Sequence, residues 1–258
     1  MNERATKPPG RRRDLWLLLA LAWMALLFGA AVLAPWLPLP DPANDADYAQ
    51  LSALPTMAHW LGTDDVGRDL LSRIIWGSRI SLTVGLGAMS IGLLVGGTLG
   101  LSAGYFRGHY EQAVLWLLDV ILSFPPLVAA LTISAVLGPS LVNVTLAIAF
   151  ISIPAFARVT RAATLGFANR EFVLAVITYG LTSVAVAIAT EGGLAFLGLS
   201  VPPPAASWGA LIAQGRSVLA DAPHVALIPA LVMFVTVLTL NVIGDASRKR
   251  FDTRGAAL

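Results

Sequence analysis

Two carboxylates, Asp119 and Glu191, lie within or beside long apolar runs of the sequence. A charge at mid-membrane costs about 2.5 to 3.5 kcal/mol on insertion scales, so such residues usually face a cavity or a partner. Both are read as candidate pathway or gate residues; for Asp119 the alternative is that it reaches water near the cytoplasmic end of its helix. Neither makes a proton relay alone. A denser ionisable group runs from His59 to Arg79, with Asp64, Asp65, Arg68, Asp69 and Arg73 between them. The chain has no cysteine, and its three histidines (His59, His109, His224) are far apart. Disulfides and thiolate metal sites are excluded, and a histidine metal site is not expected. The sequence contains no G-x-x-x-x-G-K-[ST] phosphate loop, no H-E-x-x-H and no G-x-S-x-G. Neither ATP binding by such a loop nor catalysis is therefore expected of this chain.

The elements that position these residues are apolar helices. Hydrophobic residues make up 57% of the 258 and charged residues only 12%. Soluble domains carry about 25% charged residues, so too little charge remains to cover a water-facing surface. A net charge of +2 does not indicate a nucleic-acid binder, because the basic residues form short clusters between apolar runs. Six stretches reach the roughly 20 apolar residues that a span needs: 15–37, 81–106, 114–137, 141–157, 176–198 and 225–243. The fourth is the shortest and is expected to continue as a helix into the cytoplasm. Arg11-Arg12-Arg13 ahead of the first run has the look of a signal peptide. The run exceeds 20 residues, however, and ends in Pro35, Trp36 and Pro38 rather than at a clear small-residue cleavage site, so an uncleaved helix is expected.

Orientation follows from lysine and arginine placement. With the N-terminus inside, 13 of the 17 fall in inner segments, and Arg68, Arg73, Arg79 and Arg216 fall outside. Both termini are then cytoplasmic: a segment 1–14, a six-helix domain 15–243 and a tail 244–258. Two outer segments result, 38–80 and 199–224. The first opens rich in proline and aspartate and turns amphipathic from Asp64 to Arg79, with Leu70, Leu71, Ile74 and Ile75 at helical spacing. A short helix lying on the outer face, ahead of the second span, is expected there. Gly92, Gly96, Gly100 and Gly104 recur every fourth position of that span and line one face, which lets another backbone approach. Packing within the subunit is favoured over a subunit interface. Pro125 and Pro126 interrupt the third span and Pro154 the fourth, which frees carbonyls and bends the axis.

Longer motifs carry a resemblance. The outer segment reads His59-Trp60-Leu61-Gly62-Thr63-Asp64-Asp65-Val66-Gly67-Arg68-Asp69, then Ser72-Arg73 and Gly77-Ser78-Arg79. A second motif runs from Glu191 through Phe196 and Pro202-Pro203 to Ser207-Trp208-Gly209; Asp119 to Pro125 and Arg170 to Ala175 complete the set. Together, in this order, they resemble the C-type permease subunits of dipeptide and oligopeptide ABC importers. The resemblance implies a type I importer permease fold, all-α and embedded in a bacterial or archaeal cell membrane. Implied partners are a second permease, two cytoplasmic ATPases that bind the ATP and magnesium, an extracytoplasmic solute-binding protein and the lipid bilayer. No cofactor is implied for this chain itself, and no nucleic acid. The resemblance places His59, Leu61, Gly62, Thr63, Asp64, Gly67, Arg68, Asp69, Arg73 and Arg79 near where the binding protein docks. Asp119, Pro125, Glu191, Phe196 and Trp208 are candidates for the pathway or gate.

One departure concerns coupling. In such permeases a coupling helix follows the pattern begun by Glu171-Phe172-Val173-x-Ala175, but here Ala175 runs straight into Val176-Ile177-Thr178. By resemblance, on the order of 20 residues are lacking from a loop of this kind. Either they lie outside the sequence as written, which is favoured, or they are deleted. Only Arg170, Glu171, Phe172 and Ala175 remain as the edge of the coupling site, in a truncated region 158–175. The alternatives to an importer subunit are a self-sufficient secondary transporter or channel, or a transport-inactive scaffold. The first expects repeated halves around a midplane site, and none is evident.

Overall fold

The computed structural model describes the backbone of residues 11–166 and 169–255, and the side chains of 15–166 and 176–248. Its elements are α1 (Arg11–Leu33), α2 (Leu70–Phe106), α3 (Gly108–Leu122), α4 (Pro126–Leu137), α5 (Leu141–Leu165), α6 (Asn169–Phe196), α7 (Trp208–Gly215) and α8 (His224–Gly255). The only pairings of strand type among the described residues are two isolated bridges, Ala46 with Arg68 and Thr63 with Asp69. Among the described residues five helices are long and apolar enough to span a membrane, and the pair α3–α4 makes six if it counts as one broken span.

Helix ends follow local chemistry. Asp69 accepts from the Ser72 amide at 2.7 Å and caps α2; Ser140 and Ser207 cap α5 and α7 in the same way. Between α2 and α3 the backbone turns through Arg107 and Gly108, both at positive φ. Gly138, at φ +82°, closes α4 ahead of Pro139. Two expectations change here. The third span is two helices, because Pro125 and Pro126 offer no amide to continue α3; the axis bends by 80°. The amphipathic segment is no separate helix either. Residues 38–69 are irregular, and α2 then runs unbroken for 37 residues, about 55 Å against a hydrocarbon thickness of about 30 Å. Leu70, Ile74 and Leu82 all enter one core, so no change of face interrupts the helix at Ile80.

The bundle is built on α2. Met24, Leu27 and Ala31 of α1 share a core with Leu70, Ile74 and Leu82 of α2, Val184 and Ile188 of α6, and Trp208. On the opposite flank, Val84 and Ala88 pack with Ala130 of α4 and Val144 and Ile148 of α5. The glycine stripe faces α5 of the same chain. A Cβ on Gly96 would meet the Ile153 carbonyl oxygen, and one on Gly100 would meet that of Ala157 and Thr160 Oγ1. Helix α5 passes Pro154 without a break and reaches Leu165, so the fourth span continues as a helix.

Candidate functional site

Three polar clusters are set into this apolar frame, two at the end of the bundle where α2 begins and one at the other end. The first centres on Asp64, which is almost wholly buried. Its Oδ1 accepts the Val66 and Arg68 amides at 3.0 and 2.9 Å, and its Oδ2 accepts Arg68 Nε at 2.8 Å and Arg73 Nη1. The same Arg73 Nη1 donates to Gln214 Oε1 on α7 at 2.8 Å. His59 Nδ1 lies 2.9 Å from Asp69 Oδ2, while Asp69 Oδ1 caps α2. Thr63 Oγ1 accepts from the Ala53 amide and donates to the Gln50 carbonyl. Gly62 and Gly67 adopt φ +82° and +85°, where a Cβ would strike the Ala53 and Asp47 carbonyls.

The residues quoted from His59 to Arg73 therefore form an internally bonded brace. Thr63, Asp64, Arg68, Asp69 and Arg73 are buried, while Trp60 beside them is exposed. Asp65 is half-buried, and burial, reinforced by the adjacent Asp64 charge, pushes its carboxyl above the usual range. Arg79 stands apart from the brace, its guanidinium 5.1 Å over the Trp76 ring.

The second cluster holds the C-terminal end of α6. Glu191, 0% exposed, accepts Ser200 Oγ at 2.5 Å and Ser207 Oγ at 2.6 Å on one oxygen. Ser207 precedes Trp208, whose indole Nε1 donates to the Ile74 carbonyl at 3.1 Å and whose amide donates to Ser81 Oγ at 3.2 Å. Glu191 and Trp208 thus pin the 199–207 loop onto α2. Phe196 is half exposed, with the Arg216 guanidinium 5.0 Å over its ring.

The third cluster joins α3 to α5. Arg158 Nη2 donates to Asp119 Oδ1 at 2.5 Å, and Arg161 Nε donates to Glu111 Oε1 at 2.6 Å. Asp119 is 61% exposed, so it pairs at the surface instead of lining a core. Pro125 lies at the bend just beyond. The side chains of Arg170, Glu171, Phe172 and Ala175 lie outside the described residues. Sequence reasoning missed Gln214, Glu111 and Ser200 as partners; the counterpart of each stands 9 to 141 positions away. Among the described residues no trio of histidine, aspartate or glutamate could hold a metal ion.

Long apolar helices, tied by ion pairs at the ends and with one pair of them bent as a broken span, define a multi-pass membrane protein. No protein-family profile matches the sequence. Curated relatives do. The chain is 36% identical over 260 residues to the glutathione transport system permease protein GsiD of Pectobacterium atrosepticum, covering 92% of this chain and 85% of that one. It is 35% identical over 266 residues to the proteins of the same name from Escherichia coli O6:K15:H31 and Shigella boydii serotype 4, covering 94% of this chain and 88% of theirs. The chain belongs to the permease subunits of peptide/nickel-type ABC importers. The 260 positions aligned to the first relative draw on 92% of 258 residues, about 237, so roughly two dozen of them face no residue here. That shortfall has the size of the segment expected, and lacking, after Ala175.

Proposed function

We propose that this subunit pairs with a second, related permease to form the pathway for a peptide or peptide-like solute in a bacterial cell membrane. Two ATPase subunits on the cytoplasmic side bind ATP and magnesium and drive it, and an extracytoplasmic binding protein delivers the solute. The single observation that carries this reading is the 36% identity to a glutathione permease across 85% of that protein's length. Glutathione, named for the relatives, makes small peptides the first solute class to test. The excess of lysine and arginine in alternate loops supports cytoplasmic termini. In that orientation the Asp64–Arg73 brace lies outside and holds the docking surface in shape, while the start of α3, the C-terminal end of α5 and the Arg170–Ala175 edge lie toward the ATPases.

A second reading is favoured by one observation: α5 ends at Leu165 and α6 begins at Asn169, which leaves three residues between them. A subunit without a coupling helix would assemble but not transport. Co-expression with a second permease and two ATPases of the same importer type, followed by purification through a tag on this chain, tests the first reading. Recovery of a second permease and ATP hydrolysis with the complex is expected. A chain that purifies as a monomer and carries solute without ATP would overturn it.

A further inference from the structure

At the end of the bundle where α2 begins, a cavity of about 820 Å³ opens between the exit of α1, the 39–45 turn, Trp76 and Arg79 of α2, and residues 204–206. Its walls are largely apolar, with Leu37, Leu39, Ile80 and Ala206 among them. Three charged side chains line it: Arg79, Asp41 and Asp45. The Arg79 guanidinium stacks on Trp76 at 5.1 Å and, among the described residues, makes no hydrogen bond or ion pair. Its donors are left for something in the cavity. The two carboxylates are fixed by their own turn. Asp41 Oδ1 accepts the Ala43 and Asn44 amides at 2.8 and 3.1 Å, and Asp45 Oδ2 accepts the Asp41 amide at 2.7 Å. Hydrogen bonds, the Asn44 side chain's first, hold the Asp41 carboxyl below the usual range, so it stays ionised.

One guanidinium and two carboxylates over apolar walls set a charge pattern. A ligand with an anionic group alone would meet Arg79 but also two like charges. A ligand with a primary ammonium beside its anion satisfies all three. The apolar span that begins in α1 ends at Trp36, just beyond that helix, so the cavity opens where a span meets the headgroup region. We propose that this cavity binds the zwitterionic headgroup of an aminophospholipid, its phosphate on Arg79, its ammonium on Asp41 and Asp45, and an acyl chain along Leu37 and Ile80. A free amino acid or dipeptide offers the same pair of charges without the apolar tail, and the walls favour the lipid.

Native mass spectrometry of the purified permease complex tests this without reference to transport. The probes are phosphatidylethanolamine, phosphatidylcholine and phosphatidylglycerol with matched acyl chains, and glycylglycine as the soluble zwitterion. Phosphatidylethanolamine should be retained about tenfold more than the other two lipids, the size of one charge-assisted hydrogen bond. Phosphatidylcholine carries the same phosphate but no ammonium N–H. Arg79→Gln, which removes the phosphate's partner, should lower the retention of all three lipids. Asp45→Asn, which keeps the acceptor for the Asp41 amide, should reduce phosphatidylethanolamine retention and leave phosphatidylglycerol retention equal or higher. Equal retention of the three lipids overturns the proposal, as does a preference unchanged in Asp45→Asn or a retention unchanged in Arg79→Gln. Retention of glycylglycine with no lipid preference overturns the lipid assignment.

Discussion

Arg73 Nη1 donates to both Asp64 Oδ2 and Gln214 Oε1, so one buried guanidinium ties the loop before α2 to α7, 141 positions away. Arg73 is 0% exposed and Asp64 nearly so, which makes the cost of breaking the pair one of stranded charge. Truncating one partner of such a pair costs about 3–5 kcal/mol.

Asp64→Ala should therefore be among the most damaging substitutions between residues 38 and 80, with a large fall in thermal midpoint and in yield of monodisperse protein. Gln214→Leu leaves the ion pair intact and removes one bond to a charged donor, worth about 1.5–3 kcal/mol. Size-exclusion thermal melts of the detergent-purified protein should rank wild type above Gln214→Leu and that above Asp64→Ala.

The glycine stripe of α2 gives a contrast within one helix. A Cβ at Gly100 falls on the Ala157 carbonyl and Thr160 Oγ1, whereas at Gly97 it meets only side-chain carbons at 3.4 and 3.7 Å. Gly100→Ala must force α2 and α5 apart, and overpacking of this kind costs about 1–3 kcal/mol. Gly97→Ala should be neutral or slightly stabilising, since alanine suits a helix better by about 1 kcal/mol. The same melts read both.

Asp65 carries a pH prediction. Its carboxyl titrates above the unfolded reference of 3.8, chiefly through burial and then through Asp64. The folded state thus binds the proton more tightly. The contribution is fully present below 3.8 and is lost as pH rises through the folded value, so at neutral pH the ionised group destabilises. Asp65→Asn should raise the thermal midpoint at neutral pH, and the gain should shrink as pH is lowered toward about 4.

The two ion pairs between α3 and α5 should differ. Arg158 and Asp119 are 53% and 61% exposed, so Asp119→Asn should cost at most about 1 kcal/mol and less in high salt. The Arg161–Glu111 pair is more buried, and Glu111→Gln should cost more and depend less on salt. Melts at low and high ionic strength check the ordering.

Spans were legible because apolar length is a local property: α5 and α8 cover their expected stretches, and α1 and α6 overlap theirs, ending four and two residues short. The double proline announced a disturbance near Pro125, but only the packing of α4 against α5 sets an 80° bend. The continuity of α2 was misread because an amphipathic face followed by a wholly apolar one looks like two elements, whereas Ile74 and Leu82 enter a single core. Motifs pointed to residues that the structure gathers at the ends of the bundle. They could not show that Asp64, Asp69 and Arg73 face inward, because the partner that closes the cluster, Gln214, stands 141 positions from Arg73 and no local pattern connects the two.

The most direct test of the central claim is uptake of radiolabelled glutathione into proteoliposomes that hold the complete complex with its binding protein. Uptake that requires ATP inside the complex's cytoplasmic side, and that disappears when this subunit is left out, is the result predicted. Assembly of the complex without ATP-dependent uptake of glutathione or of any small peptide offered would contradict it and leave this chain a scaffold.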